Sequence, residues 1–144
     1  MKRYTIAAAL TFGCFALLET AAAQAATVVA RVKISEQQMT VSYNGQTLHT
    51  WTVSTARRGK VTPVGSWKAK WLSKNHKSSI YDNAPMPYSI FYNGNYAVHG
   101  TTSIKKLGQP ASAGCVRLHP DNAAILFAMA KKEGLDNVMI VVEP

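Results

Sequence analysis

Two Asn-Gly dipeptides separate short runs of β-favouring residues in this chain, at Asn44 with Gly45 and at Asn93 with Gly94. Asn-Gly is the strongest two-residue signal for a β-hairpin, because both residues tolerate the positive φ angles of a type I′ turn. The dipeptides therefore predict two hairpins and a mostly β domain, arranged as a sandwich or a barrel. The runs predicted as strands cover residues 27–34, 39–43, 47–53, 64–72, 88–92, 96–98 and 138–142.

A single helix is predicted near the C-terminus. Pro120 suits the first helical position, and Asp121 favours the positive end of the helix dipole. Lys131 and Lys132 favour its negative end, and Gly134 can end the helix. The residues predicted to form its apolar face are Ile125, Ala128 and Met129.

Residues 73–83 form a polar stretch rich in Asn, Lys and Ser, which is typical of a mobile loop. Such a loop is either a solvated connection or a lid over a substrate, and the sequence leaves both open. No repeat or linker interrupts residues 26–144, so this part of the chain is predicted to be one domain.

The first 25 residues are typical of a secretory signal peptide. Lys2 and Arg3 supply a positively charged start, which is followed by a 13-residue apolar stretch at residues 6–18. Ala23 and Ala25 then supply the small residues of a cleavage site. Since a membrane-spanning helix needs about 20 apolar residues, an uncleaved anchor is the disfavoured alternative. The protein is therefore predicted to be exported to the periplasm or cell wall, with no stable membrane span after cleavage.

The composition excludes several classes of protein. Apolar residues make up 47% of the chain and charged residues 16%, so it is not intrinsically disordered. Two cysteines are too few for a disulfide-stapled miniprotein. The formal net charge of +9 favours acidic partners. Because the protein is predicted to be exported and has no recognisable nucleic-acid-binding motif, a carboxylate-rich cell wall is favoured over nucleic acid.

Cys115 is the lone thiol that remains after cleavage, which removes Cys14. It is either a small buried hydrophobe or a reactive group. Gly114 permits a tight turn, in which the amides of Gly114 and Cys115 could both face an oxyanion. Arg117 would lie on the same side as Cys115 in an extended segment, where it could lower the pKa of the thiol or bind a carboxylate.

A cysteine nucleophile needs a nearby base, and His99 is the best candidate. It follows a predicted strand and precedes Gly100 and Thr101, whose backbone could offer a carbonyl that fixes the tautomer of the ring. The alternative is a structural histidine at the end of a strand. His119 is predicted to cap the helix. A metal site built from His99, Cys115 and His119 is disfavoured, because no Cys-x-x-Cys or His-x-x-x-His pair supports it.

The order of these residues closely resembles the signature of the L,D-transpeptidase catalytic domain. The matching residues are His99-Gly100-Thr101, followed by Ser112-x-Gly114-Cys115-Val116-Arg117-Leu118. Segments that look like the family's strand and turn markers lie upstream, at residues 53–55, 62–65 and 86–88, and the likeness covers residues 28–142. One position departs from the family pattern. Ala113 stands where the motif usually has histidine, and this change is expected to affect the choice of acceptor and not the core chemistry.

The resemblance implies an exported enzyme of peptidoglycan synthesis that needs neither a cofactor nor a metal. Cys115 would attack the carbonyl of the L-centre in the L–D bond of a tetrapeptide stem and expel D-alanine, with His99 as the base. Gly114 and Gly100 would orient the reacting groups and the oxyanion. Arg117 and Ser112 would bind the substrate. The alternatives are a structural ion pair for Arg117 and a hydrogen bond to the backbone for Ser112.

The same resemblance leaves the acceptor open. The acyl-enzyme would be resolved by the side-chain amine of a neighbouring stem, giving a 3→3 cross-link, or by a protein lysine. Resolution by water would make the protein an L,D-carboxypeptidase, and loss of activity would leave an inactive peptidoglycan-binding module. A carbapenem would acylate the same thiol. The third residue of the stem and the oligomeric state are not determined by the sequence.

Overall fold

A computed structural model describes residues 25–144, and in this part of the chain nine strands form two sheets. The strands are β1 (Val28–Lys33), β2 (Gln38–Tyr43), β3 (Gln46–Thr52), β4 (Gly65–Lys68), β5 (Trp71–Lys77), β6 (Pro85–Asn93), β7 (Tyr96–Gly100), β8 (Val116–Leu118) and β9 (Val138–Glu143). The α-helix is α1 (Pro120–Glu133), and the short 3-10 helices are Ile34–Glu36, Ile104–Lys106 and Leu135–Asn137. The predicted mostly β fold with one helix towards the C-terminus is confirmed.

The first sheet has five strands in the order β3-β2-β1-β9-β4. Its centre is the parallel pair of β1 and β9, in which Val28 lies opposite Val138. Alternate side chains of both strands are buried, so one face of the sheet is apolar, as expected for a sheet that packs on a core.

The second sheet has four strands in the order β5-β6-β7-β8. β7 and β8 are parallel, with Val98 opposite Val116 and His99 opposite Arg117. Val98 and Val116 are buried in the core shared with the first sheet. Since neighbouring residues on a strand point to opposite faces, His99 and Arg117 lie together on the other face.

The helix packs on the core through a face that differs from the predicted one. Its buried residues are Ala123, Leu126 and Ala130, whereas Ile125 is 41% exposed. Ala128 is exposed and Met129 is half-buried, so the predicted apolar face is wrong. Two alanines on the buried face let the helix backbone approach β6 and β7 closely, and the larger Ile125 is turned away.

The predicted strand at residues 64–72 is two strands that belong to different sheets. The Ala69 amide donates to the Val138 carbonyl of the first sheet at 2.9 Å, and the Lys70 amide donates to the Phe91 carbonyl of the second at 2.8 Å. The chain thus changes sheets between consecutive residues. β5 then continues to Lys77, so the predicted loop at residues 73–83 is wrong for its first part, and only residues 78–84 connect β5 to β6.

Both predicted hairpins are confirmed. Asn44 and Gly45 have φ angles of 47° and 82° and connect β2 to β3. In the second hairpin Asn93 pairs with Tyr96, so the turn begins one residue later than predicted. The predicted signal peptide and Cys14 lie outside the described residues, except for Ala25. Within residues 25–144 no helix is long and apolar enough to cross a membrane.

Candidate active site

The exposed face of the second sheet carries a cleft of about 520 Å³. The connection between β5 and β6 contributes Ile80 and Tyr81 to its lining, and residues 101–103 also line it. The predicted site residues in its lining are His99, Ser112, Cys115 and Arg117, so the fold brings these four together. Cys115 directly precedes β8 and therefore continues the face on which Arg117 and His99 lie.

Cys115 is a free, half-buried thiol at the floor of this cleft. It packs against Met86, Phe91 and Ala97, and its Sγ lies 3.7 Å from the Asn95 carbonyl oxygen, to which the thiol donates. Burial raises the pKa of the Cys115 thiol, while the backbone of Ala97 and the charge of Arg117 act in the opposite direction. The expected effect of Arg117 on the thiol is therefore present but outweighed by burial, and the resting thiol is protonated at neutral pH.

His99 is buried and held by its neighbour. Its Nδ1 lies 2.7 Å from the Gly100 carbonyl oxygen, and because a carbonyl can only accept, Nδ1 carries the proton. Nε2 therefore keeps its lone pair. Burial lowers the pKa of His99 to about 4; the Gly100 carbonyl raises it, and the charge of Arg117 lowers it further. The ring is neutral at pH 7 and can accept a proton.

The Cys115 thiol and the His99 imidazole lie on the same face of the second sheet. In the part of the chain that the structure describes, they are not hydrogen-bonded to each other. The thiol of Cys115 donates to the Asn95 carbonyl oxygen, and Nδ1 of His99 donates to the Gly100 carbonyl oxygen. Both groups are neutral, so the resting site is not a thiolate–imidazolium pair. A rotation about the Cα–Cβ bond of Cys115 changes where Sγ points without moving the backbone.

The loop that carries Cys115 is closed by Ser112. The Ser112 hydroxyl donates to the Cys115 carbonyl oxygen at 2.6 Å and accepts from the Gly114 amide at 3.0 Å. Ser112 is fully buried, and both of these hydrogen bonds are to backbone of the loop, which is one of the two roles left open by the sequence. The expectation that both amides face an oxyanion is wrong for Gly114, whose amide is already engaged. The Cys115 amide remains the candidate donor.

Gly114 has no room for a side chain. Its φ is +138°, which favours glycine, and a Cβ there would lie 2.6 Å from Cε1 of Tyr96 and 2.8 Å from the Val61 carbonyl oxygen. The backbone at Gly114 therefore passes against Tyr96, a residue that itself lines the cleft. This close contact positions Cys115.

Thr62 and Ser54 support the site, and sequence reasoning missed both as functional positions. The buried Thr62 hydroxyl donates to the Gly114 carbonyl oxygen at 2.8 Å and accepts from the Ala56 amide at 3.0 Å. Ser54 exchanges two backbone hydrogen bonds with Arg117, at 2.9 and 3.0 Å. The signal is present in the segments at residues 53–55 and 62–65, which resemble the family's strand and turn markers. Hydrogen bonds from Ser54 and Thr62 hold the backbone on both sides of Cys115.

Two further residues have assignable places. His119 accepts from the Asp121 amide at 3.2 Å, which confirms that it caps α1. Ala113, the departure from the family motif, lines the cleft. Among residues 25–144 no group of three or more His, Cys, Asp or Glu side chains is placed to hold a metal ion.

A family model described as YkuD, L,D-transpeptidase catalytic domain, matches residues 27–140. The chain belongs to this family. The resemblance noted in the sequence is thereby confirmed. No curated protein matches the chain significantly.

Solved L,D-transpeptidases share the fold. The structure of LdtMt1 in complex with imipenem is 26% identical with a TM-score of 0.73, and the match covers 82% of this chain and 59% of that one. An L,D-transpeptidase from Stackebrandtia nassauensis is 25% identical with a TM-score of 0.71, covering 84% and 58%. One from Mycobacterium smegmatis is 23% identical with a TM-score of 0.72, covering 83% and 59%. The chain thus spans about three fifths of the length of these proteins.

Proposed function

We propose that this L,D-transpeptidase-family protein is an exported cysteine acyltransferase that acts on peptidoglycan stem peptides. The observation that carries the proposal is the shared cleft of Cys115 and His99, in which Gly100 holds the imidazole with Nε2 available as a base. Family membership supports the substrate class. The signal-peptide pattern of the first 25 residues supports export.

In the first half-reaction the Cys115 sulfur attacks the carbonyl carbon of the L-centre that precedes D-alanine. The thiol proton passes to Nε2 of His99 as the carbon–sulfur bond forms. The amide of Cys115 is placed to donate to the oxyanion. When the tetrahedral intermediate collapses, the carbon–nitrogen bond breaks and His99 returns the proton to the amine of D-alanine. The product is a thioester on Cys115.

In the second half-reaction an amine of the acceptor loses a proton to His99 and attacks the thioester. The carbon–sulfur bond then breaks, and the proton returns to the sulfur of Cys115. Since thiol and imidazole are both neutral at rest, His99 acts as a general base during attack. Water in the place of the amine would give hydrolysis by the same steps. Ala113 lines the cleft where the family motif usually has histidine, and this difference is expected to affect the choice between acceptors.

Acylation by a carbapenem tests the nucleophile and the base. We expect intact-mass spectrometry to detect a stoichiometric adduct on the wild type and none on Cys115→Ala. His99→Ala should slow acylation by a factor of about 100 or more, the usual contribution of a general base. The His119→Ala variant is the matched control, because His119 caps the helix outside the cleft lining, and it should acylate normally. Near-normal acylation of His99→Ala would reject its role as base.

Products formed from purified muropeptides distinguish transfer from hydrolysis. A dimer linked 3→3 together with free D-alanine supports transfer, whereas tripeptide without dimer supports the carboxypeptidase. Binding without any product would indicate an inactive wall-binding module. Mass analysis of the mature protein from cell fractions tests export, with a chain that begins at Ala26 as the expected result.

A further inference from the structure

Of the residues that the structure describes, two arginines, Arg57 and Arg117, and no aspartate or glutamate line the cleft. The ion pairs of lysine and arginine formed within residues 25–144 use other cations: Arg31 with Glu143, and Lys33 with Glu36. Within this part of the chain, neither cleft arginine has a carboxylate partner. Two guanidinium groups, which are always charged, therefore face the space beside Cys115 without a counter-ion from the described residues.

The charge of Arg57 acts on Arg117. Burial lowers the pKa of the half-buried Arg117, Cys115 acts in the opposite direction, and the charge of the exposed Arg57 lowers it further. Like charges close together in a partly desolvated cleft repel each other, and an anion between them removes that repulsion. The arrangement is therefore expected to bind an anion better than either arginine alone.

The backbone holds both arginines against the cysteine loop. The amide of Arg117 donates to the Ser54 carbonyl at 2.9 Å, and the amide of Arg57 donates to the Ser112 carbonyl at 2.9 Å. Ser112 in turn bonds the Cys115 carbonyl. Both side chains therefore arise from backbone that is fixed relative to the nucleophile, which reduces the entropy lost on binding a ligand.

We propose that Arg57 and Arg117 form a subsite for the free C-terminal carboxylate of the donor peptide. The proposal rests on the function proposed above, in which the residue expelled is the last one of the stem. Planar guanidinium groups suit carboxylates, because they bind both oxygens. The subsite selects donors that end one residue after the bond that Cys115 attacks.

The distances fit this position. Side chains two residues apart on an extended segment lie about 7 Å apart on one face. This spacing lets the long Arg117 side chain reach a group that lies next to the sulfur of Cys115. The terminal carboxylate lies about 4 Å from the carbonyl carbon under attack, because one residue separates them. In a stem that is one residue longer, a neutral amide would occupy the place of the carboxylate. The charged end would then lie about 3.5 Å further along the peptide.

Binding of two synthetic tetrapeptide stems to Cys115→Ala tests the subsite without turnover. One peptide ends in a free carboxylate and the other in a C-terminal amide, and titration calorimetry measures both. We expect Cys115→Ala to bind the acid about 10- to 100-fold more tightly than the amide, the range for hydrogen bonds between charged groups. Equal binding of acid and amide overturns the subsite. A preference that depends instead on a side-chain carboxylate at the third position also overturns it.

Variants in the Cys115→Ala background assign the preference to residues. Arg57→Gln should reduce the ratio of acid to amide affinity about tenfold, and Arg57→Lys should retain part of it. Arg58→Gln is the matched control, because Arg58 is the adjacent exposed arginine and does not line the cleft, and its ratio should not change. An unchanged ratio in Arg57→Gln overturns the role of Arg57. Arg57 is exposed, so this variant is expected to fold, and its thermal unfolding provides the check.

Release of D-alanine from the acid and of D-alaninamide from the amide by the protein with Cys115 intact separates the two proposals. If neither is released while Cys115→Ala still prefers the acid, the subsite stands and the proposed acyl transfer fails. If both are released with equal kcat/KM, acyl transfer stands and the subsite is overturned. Faster release from the acid, with the difference reduced in Arg57→Gln, supports both.

Discussion

Gly114→Ala is the substitution that most directly tests how the fold positions Cys115. The backbone at Gly114 has a φ of +138°, and a Cβ there would lie 2.8 Å from the Val61 carbonyl oxygen and 2.6 Å from the Tyr96 ring. A non-glycine residue in such a conformation costs about 1–3 kcal/mol. Overpacking adds about 1–3 kcal/mol, since a backbone carbonyl cannot rotate away as the end of a side chain can. We therefore expect the free energy of unfolding to fall by about 2–6 kcal/mol, a large part of the stability of a small domain.

The chain also offers a matched control for the conformational cost. Gly134 has a φ of +86°, but a Cβ there would meet nothing within 4 Å. Gly134→Ala should therefore carry the backbone cost alone. Urea unfolding followed by tryptophan fluorescence measures both variants, and intact-mass spectrometry measures the rate of carbapenem acylation. Gly114→Ala should be the less stable of the two and should acylate more slowly, because relieving the clash moves the loop that holds Cys115. Equal stability of the two variants, with acylation unchanged, would refute the close-contact explanation.

Two other predictions concern the groups that hold the site. Thr62→Val removes the hydroxyl that joins Gly114 to Ala56, and it should lower the free energy of unfolding by about 1–3 kcal/mol and slow acylation, while the exposed control Thr50→Val changes neither measurably. The pKa of His99 is lowered to about 4 in the folded protein, so the unfolded chain binds a proton at this residue first as the pH falls. The stability contributed by the neutral, buried ring is complete above about pH 6.5 and decreases by about 3 kcal/mol as the pH falls to 4, because each pKa unit corresponds to about 1.4 kcal/mol. Urea unfolding at several pH values should therefore show a smaller loss of stability at low pH for His99→Gln, and superimposable pH profiles would contradict the prediction.

The Ser112 hydroxyl holds the loop that carries Cys115. By bonding both the Gly114 amide and the Cys115 carbonyl, it fixes the backbone on either side of the nucleophile. Together with Thr62 it holds two consecutive carbonyls, those of Gly114 and Cys115. The backbone of the loop is thus fixed by hydrogen bonds from two hydroxyl groups, while the thiol side chain stays able to rotate.

Local features of this protein were determined by the sequence itself. The dipeptides at Asn44 and Asn93 specify hairpins because the positive φ angles of a tight turn are a property of single residues. His119 before Pro120 specifies a helix start for the same kind of reason. The motif around Cys115 was sufficient to predict the family and to indicate His99 as the candidate base.

Other features were decided only by the tertiary structure. The change of sheet between Ala69 and Lys70 depends on partners that lie some 70 and 20 residues away, Val138 and Phe91. The placement of Arg57 beside Arg117 depends on a backbone contact with Ser112, which no spacing in the sequence reveals. The charge states of Cys115 and His99 follow from burial. Burial, register and the approach of distant side chains are properties of the whole packed domain, because each depends on atoms contributed by remote parts of the chain.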